Sequence, residues 1–455
     1  MAKKTKDSNL SIEERLEQAL IPNWDEPYKL PPNWCWVRVD AIAAIYTGNS
    51  INERVKEEKY TGKTDGLVYL ATKDIDFDST IDYDTNVCVP QSDGFKIAPR
   101  YSTLLCIEGG SAGRKIGFIT QDVCFVNKLC AFVPHGKINP KYLYYAIQSD
   151  AFKKQFDAKK HGLIGGVSVK EVSSIFIPFA PVEIQNKIVE LIESVFNKLD
   201  EAEGKAQEVV DGFETRKAAI LHKAFSGEMT AKWREGNNIS FDEWITCSLS
   251  KCCKIGSGGT PSRKNSEYYA GDIPWIKTGE IEWNEVVDSE EKISQAAIDN
   301  SSAKLYNPGA VLVAMYGMGV TRGRAAILGV KAATNQAVCV LQPQEYLNNR
   351  YLFYFFMCNY WSVREQAVGG NQLNLSATII GKLNIDIPPV SEQMEIVRAL
   401  DNLISKEQQA KETAEAVIEQ IDTMKKAILA RAFRGELGTN DLNEESAIEL
   451  LKQIL

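Results

Sequence analysis

Residues 181–225 read PVEIQNKIVELIESVFNKLDEAEGKAQEVVDGFETRKAAILHKAF, and 208 positions later residues 389–433 read PVSEQMEIVRALDNLISKEQQAKETAEAVIEQIDTMKKAILARAF. The shift carries Pro181 onto Pro389, Gln185 onto Gln393, Phe225 onto Phe433 and Gly227 onto Gly435. In the first copy Ile184, Ile188, Leu191, Val195, Leu199, Ala202, Ala206, Val209, Phe213, Ile220 and Ala224 follow a helical spacing of threes and fours. In the second, Ile396, Ala399, Leu403, Ala410, Ala414, Val417, Ile421, Ile428 and Ala432 take the same face, and Glu407 departs from it. The spacing predicts one helix over residues 182–225 and a matching one in the second copy, each a rod of roughly 65 Å at about 1.5 Å per residue. Equal lengths at one offset favour mutual pairing over separate burial in two domains.

Working outward, the regions before the two helices repeat as well. Trp36 with Gly48 falls on Trp244 with Gly256, and Tyr69-Leu70-Ala71-Thr72 with Ile75 matches Trp275-Ile276-Lys277-Thr278 with Ile281. Gly109 aligns with Gly317, Arg114 with Arg322, Asn127 with Asn335, and Tyr142-Leu143 with Tyr351-Leu352. An internal duplication spans nearly the whole chain. The pieces WCWVRVDAIAAIY, GLVYLATKDI, STLLCIEG, KIGFIT and VCFVNKLCAFVP read as short strands, and Asn139-Pro140 opens a helix through KYLYYAIQSDAFKKQF. The expected fold is α+β, with two similar mixed α/β domains separated by a long antiparallel two-helix coiled coil, an internal pseudo-two-fold repeat. The antiparallel sense follows from order, because one helix leads into the second domain and the other leads out of it.

The expected segments are an N-terminal helix and connector (1–29), a first domain (30–180), a central spacer helix (181–228) and a polar linker (229–240). A second domain (241–387), a second spacer helix (388–436) and a tail helix (437–455) complete the chain. The two terminal helices, at residues 11–20 and 444–455, are expected to meet near the first domain.

Composition narrows the function classes. With 44% apolar and 25% charged residues and no run of about 20 apolar residues, the chain reads as an ordinary soluble protein. The opening MAKKTKDSNLSIEERLEQAL lacks the apolar core of a secretory signal, so a cytoplasmic location is expected. Ten scattered cysteines without a CxxC pair, and three histidines, point to reduced thiols and no metal centre. The net charge of −8 argues against nucleic acid, but its distribution does not. Residues 93–175 hold twelve Lys and Arg against six Asp and Glu, and residues 301–382 hold seven against two.

Catalytic signatures fail one by one. Gly109-Gly110-Ser111-Ala112-Gly113-Arg114-Lys115 is not a phosphate-binding GxxxxGK[ST], and Gly256-Ser257-Gly258-Gly259-Thr260 lacks dinucleotide-fingerprint spacing. Neither Pro31-Pro32 nor Pro388-Pro389 sits in an adenine-methyltransferase frame, and GxSxG and HExxH do not occur. Asp74 and Glu108 read as turn or surface carboxylates. The duplicated polar residues suit recognition better. Arg114, Lys115, Arg322 and Arg324 lie in glycine-rich turns, where guanidinium can reach guanine edges or phosphate. Asn127 with Lys128, and Asn335 with Gln336, each follow a strand, and their amides suit adenine. Thr72 with Lys73, and Lys277 with Thr278, occupy the paired loops after YLA and WI.

These features together resemble the specificity subunit of a type I DNA restriction-modification system. The resemblance rests on DIPWIKTGEIE with GLVYLATKDID, GAVLVAMYGMGVTRGRAAIL with STLLCIEGGSAGRKIGFI, and ATNQAVCVLQP with CFVNKLCAFVP. It continues through NNRYLFYFF with NPKYLYYAI, IPPVSEQMEIVRAL with FAPVEIQNKIVEL, and AFRGEL with AFSGEM. The pattern slips at one loop, where Gly165-Gly166 precede VSVKEV while Gly369-Gly370 stand four positions early. The resemblance implies two target-recognition domains that each read half of a bipartite double-stranded DNA site, with the helices as a ruler for the unread gap. It implies docking of two modification subunits that bind S-adenosylmethionine and methylate adenine N6, with restriction subunits as further partners. This chain would then carry no catalytic group and no cofactor. The competing expectations are a self-contained DNA methyltransferase or nuclease, and a coiled-coil adaptor that does not bind DNA.

Overall fold

The structure, a computed structural model, describes residues 10–22, 26–162, 165–317, 319–369 and 373–455. Residues 1–9 of the expected N-terminal segment, Gly370 of the second glycine pair and Met318 of the second glycine-rich stretch lie outside the described residues. The chain divides into two compact units, Met1–Lys205 with Val417–Leu455, and Ala206–Ala416.

The two units build the same sheets. In the first, Cys35–Arg38 pairs with Phe176–Phe179, and a four-stranded antiparallel sheet runs Ala43–Thr47, Leu129–Pro134, Thr103–Cys106, Ile116–Phe118. A second sheet runs Cys88–Val89, Leu67–Leu70, Val123–Phe125, Ile97–Ala98, in which Leu67–Leu70 and Val123–Phe125 are parallel. The second unit repeats this with Ile245–Ser248 on Asn384–Ile387 and with Ile273–Ile276 parallel to Ala332–Thr334. It adds Glu285–Val286 as a fifth strand to the sheet of Cys253–Ser257, Val338–Pro343, Val311–Ala314 and Ala325–Leu328.

Burial of both sheet faces explains why TLLC and VLVA are buried throughout. Leu105 points into a core shared with the helices, while Leu104 and Cys106 point into a core shared with the second sheet. Val311 and Val313 against Leu312 and Ala314 divide in the same way. The stretch read as a strand through WCWVRVDAIAAIY is interrupted by one helical turn, Val39–Ile42, and the second unit has Leu249–Cys252 at that place. The helix read through KYLYYAIQSDAFKKQF is two helices, Pro140–Gln148 and Asp150–Ala158. Ser149 ends the first with extended backbone, and its hydroxyl accepts from the Phe152 N–H to cap the second.

The long helices depart from expectation in two ways. The first is broken into Val182–Asp211 and Phe213–Phe225, whereas the second runs unbroken over Val390–Ala432. The break is at Gly212. A Cβ there would lie 2.3 Å from an Arg216 guanidinium nitrogen. Arg216 folds back over the bare glycine to donate to the Val209 carbonyl at 2.8 Å and to Glu407 at 2.7 Å. Glu407 therefore faces the partner helix, and its departure from the apolar pattern is answered by Arg216 across the pair.

The seam also slips by one residue. Leu403 is 38% exposed, while Leu400 is buried and Ile404 packs on the core. Ile188, Phe213, Ile396 and Ile421 are buried, and Leu191, Val195, Val209, Val417 and Ile428 are half-buried. In the first unit Lys425 bonds Asp200 and Glu203; in the second Arg216 meets Glu407 while Lys411 covers the Phe213 ring. Ascending numbers on one helix meet descending numbers on the other, so the segments run antiparallel within the second unit.

The repeated glutamines fasten the start of a shorter helix, Pro140–Gln148 or Asn349–Cys358, to the long helix of each unit. Fully buried Gln185 accepts the Asn139 N–H at 3.0 Å and donates to the Ala180 carbonyl at 2.7 Å. Gln393 accepts the Asn348 N–H at 2.7 Å and donates to the Tyr346 and Pro388 carbonyls at 2.8 Å each.

The terminal helices, Ile12–Ala19 and Ala447–Ile454, both belong to the first unit, with Ala19 and Ala447 in one core. Asn33 accepts the Ala447 N–H at 2.9 Å, and the Trp34 indole donates to Asn440 at 2.8 Å. The stretch expected to be a polar linker contains a helix, Ala231–Asn237, because Arg234 on it closes a buried ion pair with Glu392 at 2.6 Å.

Candidate nucleic-acid interface

Parallel pairing places the polar loops. Leu70 lies opposite Phe125, so the residues that follow, Thr72-Lys73 and Asn127-Lys128, leave the sheet side by side. The Val126 N–H on the Leu70 carbonyl at 2.9 Å ties them together. The glycine-rich loop between Thr103–Cys106 and Ile116–Phe118 joins this edge through the Ile107 N–H on the Lys128 carbonyl at 3.0 Å. Gly109 and Gly113 adopt φ of +81° and +75° there, which favours glycine. All six residues singled out in the first unit are thereby brought to one edge.

Their roles differ. Asp74, 8% exposed, accepts the Ala71 N–H at 2.7 Å and shapes the turn. Burial pushes its carboxyl up, partly offset by that hydrogen bond. The turn reading of Asp74 holds. Lys115 donates to the Thr72 carbonyl at 3.1 Å, which locks two of the loops. Lys73, Arg114 and Lys128 are exposed. Phe77, which sequence reasoning passed over, is 58% exposed, with the Arg114 guanidinium 4.7 Å and the Lys115 ammonium 5.0 Å from its ring centre.

In the second unit Ile276 lies opposite Thr334, so Lys277-Thr278 and Asn335-Gln336 again emerge together, with the Asn335 N–H on the Ile276 carbonyl at 3.0 Å. The electrostatics are different. Lys277 bonds Glu291 at 3.1 Å, and that carboxylate raises its pKa. Arg324 faces Glu282 at 3.5 Å, and Arg322 donates to the Leu373 carbonyl. Asn335 accepts from the Ala337 N–H at 3.0 Å, and Gln336 accepts from the Thr260 hydroxyl. The loop is latched from a helix that sequence reasoning did not single out, Tyr360–Glu365. Arg364 donates to the Arg322 and Gly319 carbonyls at 2.5 and 2.6 Å, and the Tyr360 hydroxyl donates to the Val320 carbonyl.

Strand register corrects one alignment. Leu105 pairs with Ile116 and Val313 with Ala325, so Lys115 is the counterpart of Arg324. Arg114 falls opposite Gly323 rather than Arg322, because the second loop is one residue longer.

A family model described as "Type I restriction modification DNA specificity domain" matches the chain twice, at residues 34–210 and 242–420. The chain belongs to this family. Each match takes in one edge of polar loops and part of a long helix. Among relatives, the StySPI specificity subunit of Salmonella potsdam is 21% identical, over 90% of this chain and 90% of that protein. The EcoKI specificity subunit of Escherichia coli is also 21% identical, over 94% and 96%. Of the solved structures, the HsdS subunit from Thermoanaerobacter tengcongensis superposes with a TM-score of 0.60 at 18% identity, over 91% of this chain and all of that one. A chain from a type I R-M system solved for its assembly and conformational transition gives 0.69 at 18%, over 90% of this chain and all of that one. These specificity-family structures share the fold. Among the described residues no helix is long and apolar enough to cross a membrane.

Proposed function

We propose that the chain is the DNA sequence-specificity subunit of a type I restriction-modification complex and acts in the cytoplasm. Each unit reads one half of a bipartite double-stranded site. The contacts come from Thr72, Lys73, Arg114, Lys115, Asn127 and Lys128 in one unit and from Lys277, Thr278, Arg322, Arg324, Asn335 and Gln336 in the other. The paired long helices act as an antiparallel coiled coil that sets the number of unread base pairs and docks two modification subunits. Those partners bind S-adenosylmethionine and methylate adenine N6, and restriction subunits join them to cleave DNA. This chain supplies the address and holds no cofactor.

The observation that carries the reading is the doubled match to the DNA specificity domain, each copy of which covers a loop edge gathered by a parallel strand pair. Two readers on one duplex face must stand about whole helical turns apart, which calls for a stiff spacer. The test is to express the chain with its modification subunit in a methylation-free host and map N6-methyladenine along the genome. One two-part motif with a constant gap supports the reading. No methylation, with a modification subunit active alongside another specificity chain, overturns it in favour of an adaptor.

A further inference from the structure

The same step of the repeat holds an aromatic residue in both units, but the two rings go opposite ways. Buried Ile75 and Ile281 each follow a turn whose carboxylate, Asp74 or Glu280, accepts the backbone N–H three residues back at 2.7 Å. Two residues further on stand Phe77 and Trp283. Trp283 turns inward, its ring 6.1 Å from Phe353 and 5.5 Å from Tyr360. Phe77 turns outward and is 58% exposed. It lines a cleft of about 1130 Å³ together with Arg114, Lys141, Tyr144 and Lys153. An exposed phenylalanine that packs on no core forgoes the gain of burial, so its position calls for a partner.

Elsewhere in the cleft charge is largely paired, Lys141 with Glu193 and Lys425 with Asp200 and Glu203, so the cations at the ring itself specify that partner's chemistry. Arg114 and Lys115 both lie within cation–π range of the ring, and Arg114 makes no ion pair among the described residues. A polyanion is drawn to the two cations, and the guanidinium and ring are presented as one stacked unit. In the major groove an apolar ring edge distinguishes pyrimidines at C5, where thymine carries a methyl group and cytosine a hydrogen. We propose that Phe77 is a base-contacting, specificity-determining residue of the first unit, its ring edge packed against the C5 position of one pyrimidine beside the Arg114 guanidinium. This rests on the reading of the loops over residues 72–128 as the DNA-facing edge.

The test uses the full chain assembled with its modification subunits. The half-site read by the first unit is first assigned as the one that changes when residues 30–180 are exchanged for the matching domain of another specificity chain. Every pyrimidine of the whole site is then altered singly at C5, with deoxyuridine for thymidine or 5-methylcytosine for cytosine, and competition binding is measured for wild type, Phe77→Ala and Phe77→Leu. The expected result is one position in the assigned half-site where the change shifts wild-type affinity by roughly fourfold, the worth of about one buried methyl group. Phe77→Ala loses that response, Phe77→Leu keeps part of it, and the other half-site behaves alike in all three. A wild type indifferent to C5 throughout its half-site, or a Phe77→Ala profile matching wild type at every position, overturns the proposal. An assembly that shows no preference for the unmodified site overturns the DNA reading itself, which the unmodified duplex alone reveals.

Discussion

Removing Arg234 should cost far more than removing it together with Glu392. Glu392 is fully buried and accepts from the Thr230 hydroxyl at 2.6 Å, the Arg234 guanidinium at 2.6 Å and the Trp244 indole at 3.0 Å. The Arg234 side chain is 11% exposed and stacks over Phe241 and Trp244. The first unit fills the matching place, 208 positions earlier, with fully buried Ile184. Arg234→Met leaves a buried carboxylate facing two neutral donors, which should destabilise the unit by about 3–5 kcal/mol. Glu392→Ile strands a buried guanidinium and two further donors at a similar cost. The double variant carries no buried charge and keeps the loss of the Thr230 and Trp244 acceptor, at about 1 kcal/mol each. It should therefore lie within about 2 kcal/mol of wild type, with a coupling energy of several kcal/mol. Urea unfolding of the full chain reads the totals, and hydrogen exchange over residues 228–246 and 388–400 assigns them to this unit. If the double variant were as costly as the two single variants summed, the ion pair would not be the element that closes this knot.

Leu403→Ser should change stability by no more than about 0.5 kcal/mol, whereas Ile404→Ser should cost about 2 kcal/mol, read by thermal melting; equal losses would restore Leu403 to the seam. Arg114→Ala should lower the slope of log affinity against log salt by about one, and Lys277→Ala by much less, because Glu291 already neutralises Lys277. Titrating DNA binding of the assembled complex at several salt concentrations checks both, and equal slope changes would refute the difference. The Glu171 carboxyl is held down at about 2 by the Ser168 hydroxyl, the Ser168 N–H and His161. A depressed folded-state value means the cap is fully supported above the ordinary carboxyl range and weakens as pH falls from about 4.5 toward 2. Amide exchange at Ser168 should show that loss in wild type and not in Glu171→Gln; matching profiles would dismiss the cap.

Much of the fold was legible because it is written twice. Gln185 and Gln393, aligned from sequence, make the same bond to the N–H of a helix-capping asparagine. Where one copy had no counterpart, the reading slipped. Gly212 breaks the first helix, while Gln420 continues the second, and nothing local distinguishes a tolerated glycine from a break until Arg216 is seen lying across it. Periodicity locates a helical stripe only to within about one residue, so Leu403 and Ile404 were equally good candidates until the partner helix decided between them. Glu407 and Arg216 each interrupt an apolar stripe, and both are explained by an ion pair between residues 191 positions apart.

The clustering of the candidate loops was legible in the sequence, and their surface chemistry was not. Strand pairing gathers Thr72-Lys73 with Asn127-Lys128, and Lys277-Thr278 with Asn335-Gln336, as the repeat suggested. A local charge count cannot see acceptors contributed from afar. Residues 301–382 carry a surplus of five cations, yet Arg322 and Arg364 are spent on carbonyls, Arg324 faces Glu282, and Arg350 bonds Asp401 at 2.6 Å. In the first unit Lys73, Arg114 and Lys128 stay exposed beside an outward phenylalanine. Repeated sequence has therefore produced two loop edges of unlike chemistry, one cationic and aromatic, the other neutralised and held in shape by Arg364 and Tyr360. If the two edges contact DNA as proposed, phosphate attraction falls mainly to the first, and the second discriminates by the shape and hydrogen bonding of a latched loop. Substitutions at the first edge should then change affinity with salt, and loosening the latch at Arg364 should change the bases accepted in one half-site while leaving the salt slope as it was.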